Sequence, residues 1–221
     1  MVLKVKRKPN GLIDKYKERL MEKGFTQREG IGYEDTFSLV VRFAFIRLIV
    51  SIVAKQDLKL FQMDVKTSFF NGELDEKIYM AQHACFEVQG HERKVCRLKR
   101  SIYGLKQSSM QWYLRFHDSI TSFGFKMIEE DHCVYLKRSK KSILILSLYV
   151  DDILLAGNDM ERLSSTFEMK DMGEENFVLG VKITIDHSKK LLSLSQGTYV
   201  KKILKRFHMQ NSKPINILME K

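Results

Sequence analysis

The chain has 221 residues, 44% of them hydrophobic, which is enough to bury a core as one large domain or two tightly joined subdomains and excludes a disordered tail. Thirty-eight Lys and Arg stand against 27 Asp and Glu, and the resulting charge of +11 favours a polyanionic partner such as nucleic acid, although it also serves simple solubility. Cys85, Cys96 and Cys133 form no CxxC pair and leave one cysteine over from any disulfide scheme, so a reducing, intracellular setting is expected and a zinc site is not.

The start, "MVLKVKRKPNG", is too charged for a signal peptide. "VLKVKRKPNGLIDKYKERLMEKG" reads as two basic strands turning at Pro9, Asn10 and Gly11, because Asn-Gly supplies the positive φ angles of a tight hairpin. "RFAFIRLIVSIVAKQ" places Phe45, Leu48, Ile49, Ile52 and Val53 at the spacing of a core helix. "LKLFQMDV" is a short strand ending at Asp64. "SSMQWYLRFHDSITSFG" aligns Trp112, Phe116, Ile120 and Phe123 on one face of a second helix, which Gly124 ends. "HCVYLKR" and "SILILSLYV" flank the charged turn "SKK" as a hairpin, and "DILLAG" continues as a strand. "NFVLGVKI" with "LLSLSQ" gives another strand pair, and "TYVKKILKRFHM" is a basic amphipathic helix. The longest apolar stretches, "FAFIRLIVSIVA" and "ILILSLYV", fall short of the ~18 residues of a membrane span. Strands and helices mix without βαβ alternation, so the expectation is an α+β fold with an antiparallel sheet and helices on one face.

Within "LYVDDILLAG" two carboxylates, Asp151 and Asp152, interrupt a buried-looking apolar run. An exposed hairpin turn would explain them. However, the flanking strands are apolar on both faces, the strand "LFQMD" also stops on an aspartate, and the whole chain is basic. Three carboxylates at strand ends repel unless divalent cations neutralise them, and oxygen-only ligands suit magnesium. Two such ions can activate an attacking hydroxyl and stabilise a leaving oxygen in a phosphate displacement. A metal-dependent nuclease would need a further acidic or His ligand near these three, and none can be placed there from the sequence. His132 and Cys133 read as packing and surface residues. Trp112 reads as a core anchor on the apolar helix face, with base stacking as the alternative.

Six blocks, in order, carry a resemblance: "YKERLMEKGFTQREGIGYEDTFSLVVR", "FQMDVKTSFFNGELDEKIYM", "SIYGLKQSSMQWY", "LYVDDILLAG", "FEMKDMGEENFVLGVKI" and "LSQGTYVKKILKRFHM". Over nearly its whole length the chain resembles the reverse transcriptase of copia-type LTR retrotransposons, the RNA-directed DNA polymerase region of a Gag-Pol polyprotein. The resemblance implies a right-hand polymerase with a ferredoxin-like palm and fingers. As one domain over 1–221, it would have fingers at about 1–60 and 81–107, palm at 61–80 and 108–195, and the start of a thumb or connection at 196–221. It implies that a primer 3′-hydroxyl, on an RNA or DNA template, attacks the α-phosphate of a dNTP with two Mg²⁺ ions, or Mn²⁺, held by Asp64, Asp151 and Asp152. Val65 would add its backbone carbonyl to the metal. Phe69 would gate the sugar, core packing being the alternative. Tyr103, Gly104 and Gln107, in "YGLKQ", would border the dNTP, where a glycine permits close backbone approach. Lys17, Arg19 and Lys23 would reach the triphosphate, or else be ordinary solvated charges. Leu179 and Gly180 would form the turn of the primer grip. The family setting is cytoplasmic, in virus-like particles, without a membrane partner and alongside other parts of the polyprotein.

The blocks depart from the family pattern at Ser109 and Met110 for proline and arginine, Leu39 for proline, Glu18 for alanine, and His83 and Cys85 for proline and glycine. About two helical turns are missing between the "YVDD" strand and "FEMKD". With no protease, integrase or ribonuclease H segment, the chain reads as a fragment of a longer polyprotein from a decayed copy. Impaired polymerisation is therefore expected, with a noncatalytic nucleic-acid-binding remnant as the alternative.

Overall fold

A computed structural model describes residues 2–7, 12–31, 33, 36, 39–83, 86–140, 142–158, 169–171, 177–186 and 188–213. Its centre is a six-stranded sheet with every neighbouring pair antiparallel, built from Lys59–Val65 (β3), Lys126–Met127 (β6), Val134–Arg138 (β7), Ile143–Tyr149 (β8), Asp152–Gly157 (β9) and Met169–Asp171 (β10) in the order β10-β3-β9-β8-β7-β6. Around it lie three smaller units. Val2–Arg7 (β1) pairs with Ile13–Arg19 (β2), Tyr79–Ala81 (β4) with Val95–Arg97 (β5), and Phe177–Val178 (β11), Val181–Asp186 (β12) and Leu191–Ser195 (β13) form a three-stranded sheet. The expected first hairpin is therefore present, while its Pro9, Asn10 and Gly11 lie outside the described residues.

Among the described residues two helices pack on the central sheet, Phe43–Gln56 (α1) and Ser108–Ser122 (α2). Both end in the same way. Asp57 and Gly124 take left-handed backbone, and the next amide, of Leu58 or Phe125, donates to the carbonyl of Val53 or Ile120. At its start α1 is tied down by Asp131, whose buried carboxylate accepts the Arg42 amide at 2.9 Å and the Cys133 amide at 3.0 Å. The predicted stop at Gly124 is thus present, and the face predicted for α2 packs as expected, with Trp112, Phe116 and Ile120 fully buried. On α1 the buried set is Ile46, Ile49, Val50, Val53 and Ala54, and Leu48 is exposed, because this helix is apolar almost all round and spacing alone cannot choose its inner face.

Strand register settles which face each helix covers, since side chains alternate across a strand. Tyr135 opposes Leu146, Leu146 opposes Leu155, and Leu155 opposes Phe61, so these share one face. Phe116 meets Tyr135 edge-on with centroids 6.0 Å apart, so α2 covers that face. Gln62, Ser147, Tyr149, Asp152 and Leu154 share the other, where Val41, Ile46 and the β11–β12 turn close over them. The fold is α+β as expected, but α1 and α2 flank the sheet on opposite faces and do not share one. Each buried large apolar side chain stabilises this sandwich by about 1.5–3 kcal/mol. The last helix, Gly197–Arg206 (α3), buries none of its residues. No helix among the described residues is long and apolar enough to cross a membrane.

Candidate active site

The acidic centre is a product of register. The β3 strand runs one residue past its expected end, so Asp64 lies inside it and directly opposes Asp152 of β9. One step on, the Val65 amide donates to the Asp151 carbonyl at 3.0 Å. That bond makes Asp64 and Asp152 the adjacent non-hydrogen-bonded pair, the kind whose side chains approach most closely. Asp151 follows Val150 in the two-residue loop between Tyr149 and Asp152, which oppose each other. Val150 has φ +58°, a left-handed value that in a β-branched residue costs on the order of 1–3 kcal/mol. Only the first loop residue is left-handed, as in a type II′ hairpin turn. The indole N–H of Trp112 donates to the Val150 carbonyl at 2.6 Å.

Desolvation pushes the Asp152 carboxyl above its ordinary range, with the charges of Asp151 and Asp64 acting in the same direction and a hydrogen bond from Gln62 opposing them. That bond runs from Gln62 Nε2 to Asp152 Oδ1 at 3.1 Å, while Gln62 Oε1 is buried with no partner among the described residues. On the basic side, desolvation lowers the Lys17 ammonium, as do Arg19 and Lys6, while Asp64 and Asp151 pull it back up. Lys17 therefore feels both carboxylates. The Arg19 guanidinium lies over the Tyr103 ring, 5.2 Å from its centroid, and Phe69 meets the same ring edge-on at 4.7 Å. Lys23 is exposed, and its carbonyl accepts the Thr26 amide.

The "YGLKQ" loop is locked to this basic strand. The Glu22 amide donates to the Tyr103 carbonyl at 2.8 Å, and a Cβ on Gly104 would come within 2.1 Å of the Glu22 carbonyl oxygen. Gly104 also has φ +98°, so no other residue fits there without displacing the loop. The close approach that this glycine permits is thus to the chain's own backbone. Gln107 is 2% exposed, accepts from Gln27 Nε2 at 3.0 Å and donates to Glu76 Oε2 at 2.9 Å, which binds the loop to two other segments. At the far side, Leu179 (φ +51°) and Gly180 (φ +79°) make a two-residue turn of type I′ between Val178 and Val181. Leu179 lines the same small cavity as Asp152, Gln62 and Tyr149.

Glu18 is exposed and alternates with Lys17 and Arg19 along β2, so it turns to the other side, where it lines a cleft with Leu20, Met80 and Phe86. Glu18 therefore does not share a strand side with Lys17 and Arg19. Cys85 and the shortened segment after Met160 lie outside the described residues.

The structure thus gathers Asp64, Asp151, Asp152, Val65, Lys17 and Leu179 around one end of β3 and β9, with Arg19, Phe69 and Tyr103 as a stacked group beside them. Sequence reasoning missed Gln62, which register places next to Asp152 on the strand face of Asp64, two residues away. It also missed the Trp112 donor, which only the tertiary fold brings to Val150. Among the described residues no three Asp, Glu, His or Cys side chains form a ready-made cation shell. The donor set still suits Mg²⁺, an ion normally held by one or two carboxylates together with substrate phosphates and water.

The site is thus an acid-tipped hairpin in an antiparallel sheet, faced by a basic strand. The chain belongs to the reverse transcriptase (RNA-dependent DNA polymerase) family, whose family model matches residues 2–221. It is similar to the copia-type Pol polyproteins of transposons. It is 43% identical over 223 residues to the retrovirus-related Pol polyprotein from transposon TNT 1-94 of Nicotiana tabacum, covering 97% of this chain and 17% of that protein. It is 33% identical over 220 residues to that from transposon RE1 of Arabidopsis thaliana, covering 95% and 15%. With the transposon Ty1-BR Gag-Pol polyprotein of Saccharomyces cerevisiae it shares 24% identity over 205 residues, covering 82% and 11%. The chain therefore spans about a sixth of the length of the two plant relatives. No solved structure matches it.

Proposed function

We propose that the chain is an RNA-directed DNA polymerase domain that joins a dNTP to a primer 3′-hydroxyl on an RNA or DNA template. The observation that carries this reading is the pairing of Asp64 with Asp152, with Asp151 one residue away in the turn and Lys17 within electrostatic reach. On this reading the fingers span about 1–60 and 81–107, the palm 61–80 and 108–195, and a thumb or connection follows from 196. Asp64, Asp151, Asp152 and the Val65 carbonyl would hold Mg²⁺ or Mn²⁺. When bound, the metal supplies activation of the hydroxyl and neutralises charge on the leaving pyrophosphate.

The chain's own groups divide the remaining work. Lys17, Arg19 and Lys23 attract and orient the triphosphate; burial first, and then the neighbouring Arg19 and Lys6, lower the Lys17 ammonium pKa before an anion arrives. Phe69, seated against Tyr103, presents a flat wall to the sugar, and a 2′-hydroxyl would meet it sterically. Gly104 and Gln107 act by fixing the loop that carries Tyr103. Leu179 and Gly180 hold the primer end beside Asp152. Other parts of a Gag-Pol polyprotein are the natural partners. Primer extension on an RNA template with Mg²⁺ and dNTPs tests the reading. Template-dependent extension is expected, slower than in relatives that keep a full helix after the "YVDD" strand. Binding of primer–template without any extension would replace the polymerase by a noncatalytic nucleic-acid-binding remnant.

A further inference from the structure

Trp112 is 1% exposed on the second turn of α2, and the anchor role read from its spacing accounts for its ring. It does not account for its N–H, which crosses 38 residues of sequence to the Val150 carbonyl. Val150 is the left-handed residue of the acid turn and immediately precedes Asp151. A carbonyl at a left-handed β-branched residue points where an ordinary turn would not send it, and a buried donor that meets it there favours this turn over relaxed ones. On the other side of the loop, the Val65 amide holds the Asp151 carbonyl. The turn is therefore pinned at two successive carbonyls, by a helix on one face and by the strand of Asp64 from the side.

We propose that Trp112 is a positioning residue, whose indole N–H holds the Val150–Asp151 turn in its left-handed form and so sets Asp151 against Asp64 and Lys17. The catalytic part of this proposal rests on the polymerase reading. The α2 helix begins directly after Gln107, whose amide group is bound to Gln27 and Glu76, so Trp112 also links the acid turn to the loop of Tyr103 through one rigid element.

The test replaces Trp112 with β-(3-benzothienyl)alanine, an indole isostere in which sulfur takes the place of the N–H, and separately with Phe. Circular dichroism and thermal melting check that each variant folds. Amide hydrogen exchange is then followed in metal-free protein, with peptides covering 148–153 compared with peptides from β7 and α1. Exchange at 150–152 is expected to rise about 3- to 10-fold in the isostere while β7 and α1 are unchanged, the effect of one lost hydrogen bond. Primer extension is expected to show kcat lower by about 10- to 100-fold with primer–template Kd unchanged. Unchanged exchange at 150–152 in the isostere overturns the proposal, as does faster exchange with an unaltered kcat. If the unsubstituted chain extends no primer, the polymerase reading fails on its own, and the exchange comparison still decides whether the N–H of Trp112 holds the turn.

Discussion

Two hairpins carry the charged groups of the site, and they are built in opposite ways. In β8–β9 nearly every residue leading to and from Asp151 and Asp152 is buried, from Ile145 through Leu148 and from Ile153 through Gly157. In β1–β2 all of β1 is exposed, and only Lys17 and Arg19 of β2 are half-buried. The acids are placed by a packed core on both faces of a sheet. The bases are placed by a few surface contacts, namely Arg19 over Tyr103 and the backbone bond from Glu22 to Tyr103. A core can hold like charges together against their repulsion, whereas an exposed hairpin can swing. On the polymerase proposal, such a swing would let the basic strand admit and release a large anionic substrate.

If the acid hairpin is a rigid holder of charge, removing one carboxylate should abolish chemistry without loosening the fold. Asp151→Asn is expected to reduce primer extension to background while leaving the melting temperature equal or higher, because repulsion with Asp64 and Asp152 is relieved. Extension at ordinary Mg²⁺ concentration by this variant would remove Asp151 from the catalytic set. For stability the contrast should reverse. Phe116→Ala, beneath the acid hairpin and fully buried, is expected to cost about 3–5 kcal/mol in denaturant titrations. Leu3→Ala in β1, 70% exposed, is expected to change stability by less than ~0.5 kcal/mol. Similar losses at both positions would mean that the basic hairpin is as integral to the fold as the sheet.

The same contrast explains what could be read from sequence. The β8–β9 strands, α2 and its stop at Gly124 were legible because burial imposes strict patterning and because a glycine in left-handed backbone marks a helix end. The "DD" pair and Asp64 were legible because charge at the end of an apolar strand is costly without a purpose. The inner face of α1 was not, since apolar residues surround that helix and both the sheet and the β11–β13 unit compete for them. Nor was the sidedness of Glu18, although a period of two along β2 separates it from Lys17 and Arg19. Gln62 and the Trp112 donor depend on register and tertiary contact, which no local pattern reports.

Charge removal in the exposed hairpin should act on binding more than on folding. Replacing both Lys17 and Arg19 with Ala is expected to flatten the salt dependence of primer–template or dNTP affinity, with a slope change in log K against log salt of up to about 0.9 for each phosphate that is no longer neutralised. An unchanged slope, measured by anisotropy over a range of salt, would place the anion elsewhere on the chain.

The smallest expected effect concerns the acid hairpin without metal. Burial, together with Asp151 and Asp64, raises the carboxyl of Asp152 in the folded chain above its unfolded value, so the folded state binds that proton more tightly. The sign follows from linkage. Below the unfolded carboxylate pKa, both states are protonated and Asp152 exacts no penalty; as pH rises through the raised folded pKa, the folded state must carry a charge it disfavours, and stability falls. Asp152→Asn removes this dependence. In chelator-treated protein, the variant should match the unsubstituted chain at low pH and become progressively more stable than it as pH rises past the ordinary carboxylate range. The hydrogen bond from Gln62 opposes the shift, so Gln62→Leu should enlarge the pH-dependent penalty. Once Asp152→Asn is in place, Gln62→Leu should no longer alter how stability varies with pH. Added Mg²⁺ should reduce the advantage of Asn, because a bound cation favours the charged carboxylate that burial disfavours. Equal stability of Asp152→Asn and the unsubstituted chain at every pH would show that the core does not hold this charge under strain, and the difference drawn between the two hairpins would then rest on packing alone.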